Sequence, residues 1–131
     1  MKIETTVKLD FSDVLIRPKR SDLSSRKEVN LERTIHFKNS GQTWTGVPII
    51  TSNMDTVGTL EMYQVLSKYK MITCFHKHYE PEDYPLDLDK NYYMVSTGIK
   101  EHDLQKLQKI VARIDPAFIC VDVANGYILE L

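Results

Sequence analysis

Five glycines, two cysteines and one tryptophan in 131 residues put several classes of protein out of reach. No GxGxxG occurs, which counts against the glycine-cradled pyrophosphate site of a dinucleotide-binding Rossmann domain. Cys74 and Cys120 each lie inside an apolar run and read as reduced core residues rather than as a bridge or a metal pair. No stretch approaches the ~20 apolar residues of a membrane span, and "MKIETTVKLD" lacks the apolar segment of a signal peptide. Charge of one sign is missing too: Lys plus Arg is 17 against 18 Asp plus Glu, a formal net charge of −1. Such a chain has no global field for nucleic acid or an anionic membrane, so any phosphate recognition is local. The expectation is a soluble cytoplasmic protein with no nucleic-acid or membrane partner.

What is present is enough apolar residue, 42%, to bury a core, arranged in two textures. Residues 1–45 are polar and irregular, with one or two short strands and a break at Pro18. Residues 46–131 alternate apolar runs with helical patterns. "GVPIITSN", "MITCF", "YYMVSTG" and "AFICVDVANGY" read as strands. From Thr59, a helix carries Met62, Val65, Leu66 and Tyr69 on one face. "EHDLQKLQKIVARI" forms another helix, with Leu104, Leu107, Val111 and Ile114 in a stripe and Asp103 near its start. Continuous apolar strands alternating with helices imply a parallel sheet. "EPEDYPLDLDKN" breaks the rhythm, because Pro85 would remove a hydrogen bond from any helix begun at Pro81, so an irregular crossover is expected.

Polar groups follow every strand. Ser52, Asn53, Met54 and Asp55 come after the first; His76, Lys77 and His78 after the second; Ser96, Thr97 and Gly98 after the third; Asp122, Val123, Ala124 and Asn125 after the fourth. In parallel α/β folds the carboxyl ends of strands carry the ligand, so four such clusters point to one shared site. Bland readings stand beside each. Asp55 suits a helix cap, Met54 suits a core gap or the face of a flat base, and Lys77 suits solvent. His76 and His78 lack a third partner, so no metal is expected. Asp122 is the strongest single candidate, because a carboxylate at a sheet end needs a cation or a sugar hydroxyl. The fold class that accommodates all this is α/β: an incomplete (β/α)8 TIM barrel, roughly its first half, behind an irregular N-terminal segment. A full barrel takes eight strands and about 250 residues.

"LDFSDVLIRPKRSDLSSR", "GVPIITSNMDTVGT", "FHKHY", "MVSTG" and "ICVDVANGY" together resemble the IMP dehydrogenase/GMP reductase family. The likeness runs from about Leu9 to Tyr127. Asn53 stands where the dehydrogenases typically carry proline, and the stretch after "HKHY" is too short for their inserted regulatory domain. The reductase branch is therefore favoured over an NAD-using dehydrogenase. The resemblance implies NADPH-dependent reductive deamination of GMP to IMP and ammonia, in a homotetramer. It implies that Lys77 acts near the nicotinamide and the departing amine. Asp122, Val123 and Ala124 would line the nicotinamide-ribose side. Ser25 and Arg26 would reach a neighbouring subunit's cofactor phosphate, and Met54 would touch the purine. The family's nucleophilic cysteine in a glycine-rich loop, its phosphate loop and its monovalent-cation (K+) glycines have no counterpart in these 131 residues. Cys74 and Cys120 cannot substitute, because they sit inside strands. The expectation is that this chain alone is inactive; a non-catalytic half-barrel that oligomerises is the alternative.

Overall fold

The computed structural model describes residues 3–127. Contacts divide the chain into two units, one ending at Asn30 and one beginning at Leu31. The first unit holds two single-turn 3-10 helices, Phe11–Asp13 and Arg26–Glu28, neither of which buries a residue. The strand expected ahead of Pro18 is not formed. Asp10 instead closes a local box: its carboxylate accepts from Phe11 N at 2.7 Å, and its own N–H donates to Asp13 Oδ2 at 2.9 Å. Local side-chain bonds of this kind compete with strand ladders, and here they win.

The second unit is mixed α/β. It opens with an antiparallel hairpin of β1 (Arg33–His36) and β2 (Thr43–Gly46), turned through Gly41 at φ +68. Composition groups this stretch with the irregular segment, yet the hairpin is packed into the second unit. Trp44 is buried, and its indole N–H donates to Asn91 O at 2.7 Å, 47 residues away. Helix α1 spans Leu60–Leu66, with the Thr59 hydroxyl accepting from Met62 N. Strands β3 (Thr73–Cys74), β4 (Tyr93–Thr97) and β5 (Ile119–Val121) form a parallel sheet in the order β3-β4-β5. Helix α2, Glu101–Ile114, crosses from β4 to β5. It starts where Lys100 N donates to Asp103 Oδ2, so Asp103 caps as its position suggested.

"GVPIITSN" forms a parallel edge without becoming a strand: Ile50 bridges Ile72, Ile72 N donates to Ile49 O, and Thr51 N donates to Ile72 O. Pro48 has no N–H to extend that ladder. The expected irregular crossover is present as one 3-10 turn, Pro81–Asp83. Tyr84, fully buried, fills the space a crossover helix would have covered.

The core lies on the sheet face under the helices: Tyr63, Phe75, Tyr84, Tyr93, Val95 and Ile110. Burying each of these large side chains contributes roughly 1.5–3 kcal/mol. Two helix stripes need correction. On α1 the buried residue is Tyr63, whereas Val65 and, just beyond the helix, Tyr69 are exposed. The aromatic wall recruits a tyrosine whose hydroxyl accepts from Asp89 N at 2.7 Å, and Met62 and Leu66 of the stripe are only half-buried. On α2, Leu107 and Ile114 pack on the core as expected, but Ile110 is the residue that is fully enclosed, while Leu104 and Val111 lie at the margin. Ile119 and Val121 of β5 are also exposed, so the parallel sheet is covered under β3 and β4 only. Among the described residues the sheet is open, with no closed barrel.

Candidate functional site

The carboxyl ends of the parallel strands all reach the same side of the sheet. Asp122 N donates to Thr97 O at 2.8 Å, extending the β4–β5 ladder by one bond and fixing where the Asp122 carboxylate emerges. Lys77 follows β3 by three residues, and its Nζ lies 3.8 Å from Asp122 Oδ2. Both side chains are close to half exposed, at 48% and 42%. An ion pair of that length and exposure contributes at most about 1 kcal/mol, so it leaves both groups free for a ligand.

A cleft of about 480 Å³ opens beside this pair, lined by Lys77, Gly98, Asp103, Asp122, Val123 and Ala124 among others. The volume is within the range of small-molecule sites. Four of the residues named from sequence, Lys77, Asp122, Val123 and Ala124, therefore share one concavity. Met54 does not line it; it sits exposed in the turn before α1, where its carbonyl accepts from Val57 N and Gly58 N. Ser25 and Arg26 belong to the first unit, where the Ser25 hydroxyl caps a 3-10 turn by accepting from Lys27 N. A larger cleft of about 630 Å³ lies at the opposite, amino ends of β4 and β5, between the hairpin turn and Lys90, Asn91 and Asp115. That end of a parallel sheet ordinarily carries stability rather than chemistry.

The "HKHY" loop is held from three sides. His76 N donates to Gly58 O at 3.0 Å. The His76 ring stacks on Tyr79 at 4.0 Å between centroids. Gly58 is required there, because a Cβ at this position would run into Cys74 O. Lys106, from α2, donates to Lys77 O at 3.1 Å and to Glu80 Oε1 at 2.8 Å. Desolvation, with His78 adding to it, holds the His76 imidazole below its ordinary pKa. The strand-end loop thus presents one permanent cation, Lys77, flanked by a ring that favours neutrality.

Known proteins have sequences similar to this one over most of its length. GMP reductases of Salmonella paratyphi B and Salmonella schwarzengrund are each 53% identical to it over 97% of its length, and that of Salmonella typhi is 52% identical over the same share. The similarity to these GMP reductases runs over nearly the whole of this chain. It spans about two fifths of the length of the curated relatives it matches, 39%, consistent with an N-terminal portion of such a reductase. No family model matches it.

Sequence reasoning does not reach two residues that shape this cleft, Asp103 in its lining and Lys106 behind the Lys77 loop. Nothing local distinguishes Lys106 from the other cations of α2; only the folded chain brings its amine to the Lys77 carbonyl, 29 residues back. Asp103 carries the signal of a helix cap alone. Its carboxylate also faces Gly98, where any Cβ would collide with it, so the β4–α2 turn is kept small beside the cleft. Among the described residues there is no group of three or more His, Cys, Asp or Glu positioned to hold a metal ion. No described helix is long and apolar enough to cross a membrane.

Proposed function

We propose that this chain is the cofactor-side portion of a GMP reductase, from roughly the first half of a (β/α)8 barrel, whose complete protein carries out NADPH-dependent reductive deamination of GMP to IMP and ammonia. The observation that carries the reading is the shared cleft: Lys77 and Asp122 within 3.8 Å, with Val123 and Ala124 beside them, at the carboxyl ends of strands in one parallel sheet. These residues fit a nicotinamide riboside. Asp122, with no hydrogen bond to Lys77 at that distance, keeps carboxylate oxygens available to ribose hydroxyls. Val123 and Ala124 offer small apolar surface to a flat ring. NADPH, when bound, supplies the hydride. Lys77 would place a mobile ammonium where an amine departs and would move the proton that this departure requires. Lys106 would keep the Lys77 backbone from drifting. Met54 is assigned to the purine. Ser25 and Arg26 are assigned to the cofactor phosphate of a neighbouring subunit in a cytoplasmic homotetramer, where a guanidinium suits the phosphate.

The 131-residue chain by itself should not turn over, because the nucleophilic cysteine loop and the phosphate and cation loops that the resemblance implies are not in its sequence. The decisive experiment titrates NADPH into the chain and into Asp122→Asn and Lys77→Met, following nucleotide fluorescence. It then assays GMP-dependent NADPH oxidation at verified mass. Each substitution should weaken NADPH by about tenfold, and no oxidation should be seen. Equal affinity in all three chains would remove the cleft from the cofactor site, and turnover would overturn the expected inactivity.

A second reading, a half-barrel that oligomerises without catalysis, draws on the exposed outer face of β5 at Ile119 and Val121. Light scattering of the 131-residue chain separates the two: a compact even-numbered oligomer with no NADPH affinity favours the half-barrel.

A further inference from the structure

Lys77 and Asp122 face each other across the cleft at 3.8 Å, too far for a hydrogen bond to fix their spacing. A chain of contacts behind the cleft, running through α2, joins them instead. Asp122 N donates to Thr97 O at 2.8 Å, which ties the Asp122 end to β4. Thr97 is buried, and its hydroxyl is shared between two carbonyls, Gly98 O at 3.1 Å and Asp103 O at 3.4 Å. Asp103 lies in the first turn of α2, and Lys106 stands one turn further along the same side of that helix. Lys106 Nζ then donates to Lys77 O at 3.1 Å and to Glu80 Oε1 at 2.8 Å.

The far end of this chain is built rather than incidental. The Lys106 side chain is 24% exposed, against 48% for Lys77, so most of its stem is laid against protein. Holding a lysine in one place costs up to about 2 kcal/mol of rotamer entropy, which two charge-assisted bonds offset. Glu80 balances the Lys106 charge, so the ammonium can sit against the Lys77 turn without adding an unpaired second cation. The space enclosed by Lys77, Thr97, Asp103 and Lys106, among others, is about 10 Å³, no more than one water requires. The loop therefore seats directly on the helix.

We infer that Lys106 and Thr97 are positioning residues, which hold the Lys77 backbone in place relative to Asp122 through α2 and so set the width of the cleft. The inference rests on the reading of that cleft as a nicotinamide site. Neither residue lines the cleft, so losing either acts by letting Lys77 move.

The test uses the 131-residue chain as wild type, Lys106→Met, Lys106→Arg, Thr97→Val and Thr97→Ser, with Lys109→Met as a control from the same helix. Nuclear Overhauser contacts between the Lys77 and Asp122 side-chain methylenes read the spacing without any ligand, and NADPH titration reads its consequence. Lys106→Met should lose the contacts and weaken NADPH about tenfold, the worth of one charge-assisted hydrogen bond. Thr97→Val should thin the contacts and weaken NADPH about threefold, as for one neutral hydrogen bond. Lys106→Arg and Thr97→Ser keep a donor, so both readouts should stay near wild type, as they should in Lys109→Met. Contacts absent from wild type, or unchanged in Lys106→Met, would overturn the inference, and so would losses that Lys106→Arg and Lys109→Met share. A wild type that shows the contacts and binds no NADPH would sink the cofactor reading alone, because the contacts still report the Lys77–Asp122 spacing in every variant.

Discussion

The two faces of the parallel sheet are built from different materials. Under the helices, the face is a wall of large rings: Phe75 lies 5.6 Å from Tyr93 and 5.7 Å from Tyr84, and Tyr63 meets Tyr93 edge-on. Opposite, the same strands present small sulfur and hydroxyl groups at Cys74, Ser96 and Cys120, leading up to Asp122. Aromatic rings bury area and interlock, so the first face supplies most of the stability. Cys74 and Ser96 are buried too, but small groups remove little apolar area from water, so the second face adds less to stability. The comparison teaches that alternation along a strand sorts interlocking rings from small polar groups, residue by residue.

The sharpest way to break this contrast is to truncate one residue on each face. Phe75→Ala should cost about 3–5 kcal/mol, because the fully enclosed ring leaves a cavity among tyrosines that cannot collapse. Ser96→Ala should cost no more than about 1 kcal/mol, the net worth of one hydrogen bond. Urea unfolding of both variants measures the gap; equal losses would mean that the face opposite the rings also carries the fold. A finer cut is Tyr63→Phe, which keeps the ring and removes the acceptor for Asp89 N. About 1–2 kcal/mol should be lost, since a part-buried backbone N–H is left without its partner. The double variant Tyr63→Phe/Asp89→Ala should lose no less, because the bond is made by the Asp89 backbone rather than by its carboxylate.

The smallest effect belongs to the loop between the faces. His76 has a folded pKa below its ordinary value of 6.5, chiefly through desolvation, so the unfolded chain binds the proton more readily. Stability should be fully present above pH 6.5 and should fall as the pH drops through the folded pKa. Denaturant midpoints between pH 7.5 and 5 should decline in wild type and decline less in His76→Gln. Parallel profiles would show that the stacked ring on Tyr79 has no part in the pH response.

Much of this was legible in the residues. The α2 boundaries, the irregular crossover and the parallel order of β3, β4 and β5 follow from periodicity, proline and apolar runs, all of which act over a few neighbouring residues. The placement of Lys77 and Asp122 at strand ends was legible for the same reason, because a polar group directly after an apolar strand has few places to go. Tyr63 and Ile110 were not legible as the buried faces of their helices. The side of a helix that turns inward depends on what waits there, and here that is a ring wall assembled from β3, β4 and the crossover. By itself, then, the sequence determined the elements, their alternation and which strand ends bear polar groups, since those rest on local sterics and hydrogen bonding. Tertiary structure alone decided that Lys106 grips the Lys77 carbonyl and that Cys74 of one strand reaches the Ser96 hydroxyl of the next. Both depend on register between strands and on the seating of a helix, which are fixed only when the whole sheet is packed.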